Sequence, residues 1–460
     1  MAQVTDPARA RSVATEIVTL LRSGGFLAYF AGGCVRDELL GLHPSDYDVA
    51  TSATPRQIEG LLKQPRFATH FVGEAFGVTL VKVDGIPVEV ATFRSDGTYT
   101  DKRRPDSVVF STPHEDAQRR DFTINALFLD PLSAVRTPVW GQKFLARGQA
   151  TVAGEVIDLV GGIADLKAGL IRAVGDAHAR LKEDDLRALR AVRFAARYGF
   201  KIEGLTAQAI IQHAGDLAGV SRERIGEELR RMLLGRTGET RIAAAQLLAT
   251  LGLDLPVFGP VIDADSPITK RRQTEGNSEG SSGGNGEQSS WPALAAVGLD
   301  AGLGTLLAAL MVDRQFGSKP CWWAGAVEHW RRGLCLSNDE LVALVGTLES
   351  LWQLQHEWGG ATVSGQKRMA AKACFGSTME VLGGISPAEA AEVRKRVAEL
   401  EIIGPGIHPL PILGGAELIA AGYKPGPDFK RMLDMVYDAQ LEGQICDLAG
   451  AMELVQRRRI

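Results

Sequence analysis

Residues Tyr29–Pro55 read YFAGGCVRDELLGLHPSDYDVATSATP, and this stretch decides how the rest of the chain is to be understood. The short apolar run Leu27 to Ala31 reads as a strand, Gly32-Gly33 follows it, and a helix is expected beyond. At such a junction, backbone N–H groups and the positive helix end can meet phosphate oxygens, although a Gly-Gly pair is equally an ordinary turn. Asp46-Tyr47-Asp48 then leads into Val49-Ala50. Carboxylates at i and i+2 of a strand point to one face. Two hard oxygen ligands side by side suit Mg²⁺, and such a pair can hold ions that clamp the attacking and leaving oxygens of a phosphoryl displacement. The bland alternative is a polar strand end or an Asx turn.

Working outward, Ala8 to Arg22 has Val13, Ile17, Leu20 and Leu21 at helical spacing before Ser23-Gly24-Gly25 stops it. Thr54-Pro55 supplies an N-cap and an N1 proline for a helix through Leu62. Phe76–Val83 and Pro87–Phe93 are β-branched, partly alternating runs that read as a strand pair joined at Asp84-Gly85. Up to about residue 150 the chain is therefore mixed α and β. Beyond about residue 160 strand signals fade, and helical patterns take over at 184–198, 206–217, 221–234, 240–252, 338–354, 387–400 and 427–440. The expected fold class is α+β, a mixed sheet with helices followed by an all-helical remainder.

Composition narrows the function classes. With 51 Lys+Arg against 55 Asp+Glu the formal charge is −4, which excludes a uniformly basic nucleic-acid coat protein. The 45% hydrophobic and 23% charged residues are globular values, and at about 150 residues per domain two to four domains are expected. Cys34, Cys321, Cys335, Cys374 and Cys446 form no C-x-x-C pair and are too scattered for a disulfide framework, so a reducing cytoplasm is the expected setting. No run approaches 18 apolar residues and the N-terminus lacks a signal peptide's apolar region, so no membrane partner is expected. Lys270 to Ser290 has no apolar residue and reads as a disordered insertion.

On a helix over 184–198, Leu186, Leu189, Val192 and Ala196 form a buried stripe, while Asp184, Arg187, Arg190 and Arg193 follow one another in steps of three along a ridge at its edge. An extended ligand can lie along such a ridge. A solvated face with Glu183, Asp184 and Arg187 paired locally is the alternative. Residues 180–201 carry seven Lys+Arg against three acids, a local positive patch of the kind phosphate backbones attract. Arg457-Arg458-Arg459 is another, or a frayed helix end.

Four blocks in this order resemble the class II tRNA nucleotidyltransferase (CCA-adding enzyme) and bacterial poly(A) polymerase family, within the polymerase β nucleotidyltransferase superfamily. They are GGCVRD with SDYDVAT, VEVATFRSDGTYTDKRRPDSVVF, EDAQRRDFTINALFLD, and DLVGGIADLKAGLIRAVGDAHARLKEDDLRALRAVRFAARYGF. The resemblance implies a nucleotidyltransferase head over 1–150, a helical neck over 151–235, a helical body over 236–400 with a disordered insertion at about 263–290, and a helical tail over 401–460 that binds tRNA. It implies Asp46 and Asp48 as the catalytic, Mg²⁺-holding pair, with Glu89 as a possible third carboxylate or a partner of Arg94. Gly32, Gly33, Arg36, Arg119, Arg120, Asn125, Arg190 and Arg193 would bind the nucleotide, although Asp121 and Asn125 could also be helix caps.

Asp184 and Arg187 would read the base. Cytosine and adenine each present an exocyclic amine beside an unprotonated ring nitrogen, and guanine and uracil the reverse. A carboxylate with a guanidinium therefore accepts C and A together, and rejection of analogues that leave such a site unpaired reaches about 10⁴.

The implied reaction is addition of CCA to the 3′ end of tRNA from CTP and ATP with pyrophosphate release. A poly(A) polymerase, an A-adding enzyme and a non-catalytic RNA-binding protein on the same scaffold are the alternatives. Val72-Gly73-Glu74-Ala75-Phe76-Gly77 and the Gly/Pro-rich stretches 412–415 and 422–427 resemble the tRNA-directed branch, and the charged segment Arg94–Pro105 resembles the loop of A-adding members. His213, His329, His356 and His408 supply no His-Asp pair, so a metal-dependent phosphatase activity is not expected.

Overall fold

The computed structural model describes residues 6–63, 65–73, 77–97, 108–140, 150–259, 291–314 and 323–457. Glu74, Ala75, Phe76, most of the Arg94–Pro105 segment, the 270–290 insertion, Cys321, Arg458 and Arg459 lie outside them. The chain divides into two compact units, Met1–Arg224 with Leu247–Pro256, and Ile225–Gln246 with Val257–Ile460.

The first unit is built on strands β1 (Ala28–Ala31), β2 (Asp48–Thr51), β3 (Phe67–Gly73), β4 (Val78–Val83), β5 (Ile86–Thr92), β6 (Arg94–Asp96), β7 (Val108–Phe110), β8 (Phe128–Asp130), β9 (Arg136–Pro138), β10 (Thr151–Ala153) and β11 (Glu155–Ile157). Seven of them form one sheet in the order β11-β8-β1-β2-β5-β4-β3. Its pairs are antiparallel except β2 with β5, which run parallel and set Asp48 opposite Glu89. The β4–β5 hairpin turns as its sequence demands: Asp84 (φ 51°) and Gly85 (φ 84°) both take the left-handed conformation that a tight two-residue turn requires.

Alternation gives the sheet two unlike faces. Ala31, Ala50, Phe93 and Phe128 belong to one apolar cluster with Ala117, Ala126 and Val174. Asp48 and Glu89, two residues from Ala50 and Ala91 on their strands, stand on that same face. Helix α1 (Pro7–Ser23) packs against β1, β2 and β5, burying Val13, Ile17 and Leu21. Helix α2 (Gly33–Leu39) follows Gly32, whose φ of 74° makes the turn out of β1. Helix α3 (Pro55–Leu61) opens with the expected Thr54 cap, closed by Gln57 into a capping box. Helix α4 (Pro113–Gln118) has the same device in Thr112 and Glu115.

After the sheet come helices Gly162–Ala168, Ala177–Glu183, Arg187–Tyr198 and Gly204–His213. The first begins where Asp158 takes four backbone N–H groups, of Val160, Gly161, Gly162 and Ile163, at 2.9–3.2 Å. Gly162 is needed there, because a Cβ would lie 2.3 Å from the Thr123 carbonyl oxygen. A parallel pair of two-residue strands, Leu170–Ile171 with Lys201–Ile202, is too short to leave a pattern in the sequence.

The expected 184–198 helix is corrected at its start. The chain leaves a helix at Glu183, Asp184 is extended (φ −153°, ψ 101°), and the next helix begins at Arg187. The cause is local: Asp184 Oδ1 accepts the Leu186 N–H at 3.1 Å, an Asx-type bond that competes with helical continuation. Leu186, Leu189, Val192 and Ala196 are buried as expected.

The second unit is helical in its described residues. Its most enclosed element is Leu303–Arg314, buried at every position, and a helix without a solvated face belongs in a core. Gly304 lets it cross Asn338–His356 closely, since a Cβ would come 2.4 Å from the Glu340 carbonyl oxygen. Helices Gly415–Ala420, Pro427–Leu441 and Leu448–Arg457 share a separate cluster of Leu413, Leu418, Val436, Ala451 and Val455. No helix among the described residues is long and apolar enough to cross a membrane.

Candidate active site

Two carboxylates are register partners on the sheet, and a third lies just before it, outside the strand that the Asp-x-Asp spacing implied for both aspartates. Asp48 opens β2, Glu89 is its register partner on β5, and Asp46 lies two residues before Asp48, exposed and bonded by Ser45 Oγ at 2.9 Å. Burial, then the charges of Asp46 and Glu89, push the Asp48 carboxyl up to about 7, while the Arg120 guanidinium opposes them. Negative charge crowded in this way fits a divalent cation, which would relieve the repulsion. Among the described residues no three His, Cys, Asp or Glu side chains stand at metal-ligand spacing. Here one or two carboxylates would share such an ion with water and substrate oxygens. The parallel β2/β5 register is what brings Glu89 to Asp48; neither strand by itself signals it.

Gly32 adjoins this cluster at the start of α2. A Cβ on it would sit 2.7 Å from Arg120 Nη1, so glycine allows the guanidinium to lie against the turn. Arg120 spans the site: Nη1 donates to the Asn125 carbonyl at 3.1 Å, Nε and Nη2 donate to Asp116 Oδ2 at 3.2 and 3.0 Å, and its plane lies over Phe128. Arg119 binds the other oxygen of Asp116 at 2.8–2.9 Å and donates to the Arg94 carbonyl at 3.1 Å. Asp116 has the buried side chain that gathers both arginines, and they hold its carboxyl below the usual carboxylate range against the opposing effect of burial. Its position three and four residues before an Arg-Arg pair on a short helix was the available signal.

Asn125 and Arg36 lie beneath. Arg36 is buried, donates to Asp37 Oδ1 at 2.8 Å and to Asn125 Oδ1, and stacks its guanidinium on Phe194 and Tyr198 at 4.9 and 4.8 Å. Asp37 also accepts from Tyr198 Oη at 2.8 Å, so the Arg36-Asp37 dipeptide fastens α2 to the Arg187–Tyr198 helix. Asn125 donates to Asp121 Oδ1 at 3.0 Å, and Asp121 Oδ2 accepts two bonds from Arg190 at 2.6 and 2.8 Å. Asp121 also accepts the Phe122 N–H at 2.8 Å, but the 3₁₀ turn Thr123–Asn125 has no side-chain cap bond, so Asp121 is the anchor of Arg190 and not a cap. Although burial opposes it, the charge of Arg190 and its bonds hold the Asp121 carboxyl down at about 2. Arg193 is buried with its guanidinium 4.2 Å above the Phe194 ring.

Asp184 and Arg187 stand at the helix break. Asp184 Oδ2 is gripped by Arg224 Nη2 at 2.7 Å. Arg187 Nη1 donates to Glu183 Oε2 and the Arg180 carbonyl, each at 2.6 Å, and Nη2 reaches the Arg119 carbonyl at 3.4 Å. The local Glu183–Arg187 pair is thus present, but Asp184 pairs elsewhere. Arg187, Arg190 and Arg193 keep the three-residue ridge without it. Arg224 could not be found by spacing, since it comes from beyond the next helix. His213 does meet a carboxylate, Asp216, at 3.0 Å, with His178 at 3.3 Å on its other side.

A mixed sheet bearing paired aspartates beside a glycine turn and an arginine pair defines a nucleotidyltransferase head. The model of the "Poly A polymerase head domain" matches residues 28–172, and that of the "Probable RNA and SrmB-binding site of polymerase A" matches 199–265. The CCA-adding enzyme of Limosilactobacillus fermentum is 32% identical over 444 residues, 94% of this chain and 93% of that one. The CCA-adding enzyme of Leuconostoc mesenteroides is 43% identical over 223 residues, about half of either chain. The crystal structure of the Bacillus stearothermophilus CCA-adding enzyme in complex with CTP superposes with a TM-score of 0.70 at 26% identity, covering 99% of both chains. The Thermotoga maritima CCA-adding enzyme complexed with tRNA shares the fold, with a TM-score of 0.64 at 19% identity. This chain belongs to the CCA-adding enzyme family, and is a nucleotidyltransferase of the metal-dependent kind.

Proposed function

We propose that this protein transfers CMP and AMP from CTP and ATP to the 3′ end of tRNA in the cytoplasm, building or repairing CCA and releasing pyrophosphate. The observation that carries the reading is the Asp48–Glu89 register pair, whose Asp48 carboxyl feels the charges of Asp46 and Glu89 and, against them, of the Arg120 guanidinium that lies by Gly32.

Asp46 and Asp48 would hold Mg²⁺, with Glu89 beside them; when bound, the ion supplies charge neutralisation at the transferring phosphoryl group. Gly32, Gly33 and Arg120 border the triphosphate, with Arg36, Arg119 and Asn125 bracing that corner. Asp184 accepts from the exocyclic amine of C or A through lone pairs that Arg224 and the Leu186 N–H leave available, and Arg187 donates to the ring nitrogen. Arg190 and Arg193 keep the helix behind the reader electropositive. Because amine and ring nitrogen keep the same relative order in cytosine and adenine, one pair of side chains admits both.

The test supplies tRNA lacking its terminal CCA with each nucleoside triphosphate separately. CMP is expected with CTP, AMP after CC is in place, and neither UMP nor GMP at comparable rate. Incorporation of UMP equal to CMP overturns base reading by the protein, and a long ladder from ATP with unstructured RNA replaces the reading by poly(A) synthesis.

A further inference from the structure

Asp116 is not a residue that nucleotide chemistry itself demands, since it carries the same charge as the substrate. Its side chain is nonetheless buried (2% exposed) at the corner where the triphosphate is expected. Both of its oxygens are committed. Oδ1 receives Arg119 Nε and Nη2, and also the Arg94 backbone N–H at 3.4 Å; Oδ2 receives Arg120 Nε and Nη2. Charge-assisted bonds to two N–H groups of one edge fix a guanidinium plane in a way a single bond cannot. For Arg120 the consequence is directional: with Nε and Nη2 turned to Asp116, Nη1 is turned to the Asn125 carbonyl and the Gly32 turn. For Arg119 the same carboxylate sits beside a bond to the Arg94 carbonyl, so both the N–H and the C=O of Arg94 are held. Arg94 begins β6, which pairs antiparallel with β7.

Resting on the functional reading above, we infer that Asp116 is a positioning residue for the triphosphate. It aims the Arg120 guanidinium at the Gly32 turn, and through Arg119 and the Arg94 peptide it ties the start of β6 to that aim. Its action is blind to the base, because it touches neither Asp184 nor Arg187.

The experiment compares the full-length enzyme with Asp116→Asn, which keeps one acceptor oxygen but sets an amide donor against a guanidinium. Inhibition by inorganic pyrophosphate, the KM for CTP and for ATP, kcat and the C-over-U preference are measured together. Loss of one charge-assisted contact set corresponds to about 10- to 100-fold in affinity. The expected result is a rise of that size, shared by the pyrophosphate Ki and both KM values, with kcat within about threefold and the C-over-U preference unchanged. In an Arg120→Lys background the same substitution is expected to add less than about threefold, because its route to the substrate is already cut. Asp116→Glu keeps the charge and displaces the guanidiniums by one methylene; a smaller shared rise is expected, and this variant decides the matter if Asp116→Asn melts below the assay temperature. A Ki within twofold of the wild type, a full effect in the Arg120→Lys background, or a loss of base preference in place of affinity would overturn the inference. If the unsubstituted enzyme adds neither CMP nor AMP, the functional reading fails instead, and that control separates the two.

Discussion

The two units of this protein bury charge in opposite ways. In the first, buried or half-buried charges meet charges of the other sign: Asp121 with Arg190, Asp116 with Arg119 and Arg120, Asp37 with Arg36, Asp184 with Arg224. In the second, buried cations meet backbone. Arg241 is fully buried and donates to the carbonyls of Leu233, Val297 and Gly298 at 2.7–3.0 Å. Lys367 donates to the carbonyls of Ile403 and Leu441, closing two helix ends. Asp313 and Arg314, adjacent on one helix, hold the N–H groups of Ala293 and Leu294 and the carbonyl of Gly259, the two flanks of the 260–290 segment. Charge paired with charge fixes the planes of guanidinium groups, whereas charge spent on carbonyls fixes helix ends, where four C=O groups otherwise lack partners.

That contrast can be broken, starting with the largest effect. Asp46→Ala or Asp48→Ala is expected to lower incorporation by about 10⁴-fold, several kcal/mol of lost charge stabilisation, with tRNA binding and melting temperature nearly unchanged. Retained turnover in a single-nucleotide assay refutes the assignment of the pair. Next, Asp184→Ala or Arg187→Ala removes one of two base contacts, and the preference for CTP over UTP should fall by about 10²-fold; a uniform loss of all four nucleotides would make these residues merely structural.

In the second unit, Arg241→Met removes the guanidinium donor from the Leu233, Val297 and Gly298 carbonyls, of which Gly298 keeps the Ala301 N–H, and a loss of about 3 kcal/mol is expected in denaturant titration. A cost below about 1 kcal/mol would mean that backbone clamping by buried cations is incidental there. Asp121 supplies the pH arm of the comparison. Its carboxyl is held at about 2 in the fold, against about 3.9 when unfolded, so its stabilisation is complete above about pH 4 and is lost as pH falls toward 2. Asp121→Asn should therefore cost about 2 kcal/mol at pH 7 and nothing by about pH 1.5, seen as converging unfolding curves. The smallest effect concerns the clamped flanks: replacing 261–289 by about eight Gly/Ser residues shortens the chain between ends that Asp313 and Arg314 already hold. A gain near 1 kcal/mol is expected from loop closure, and a loss of several would show that the segment contributes packing.

Much of the head was legible because its signals are local. Thr54-Pro55 caps a helix by a side-chain bond within one turn, and Asp84-Gly85 turns a hairpin because its two residues tolerate positive φ. The buried stripe of Leu186, Leu189, Val192 and Ala196 followed from helical periodicity. Asp184 did not follow that periodicity, since its own side chain caps Leu186 and breaks the helix the spacing implies. The His213–Asp216 contact was missed for a similar reason: a helix end and a 3₁₀ turn set the two side chains together three residues apart.

The order of residue types along the chain by itself marked the candidate groups: a glycine turn, two aspartates two residues apart, of which only Asp48 falls on the strand, an Arg-Arg pair and an Asp-x-x-Arg set, each defined by neighbours a few residues away. Only the tertiary structure decided which groups act together. Glu89 reaches Asp48 through a parallel register, Arg190 reaches Asp121 from 69 residues along the chain, and Arg224 reaches Asp184 from another helix altogether. Contacts of that kind depend on how elements pack, and packing is set by the whole apolar surface, which no short stretch of residues contains.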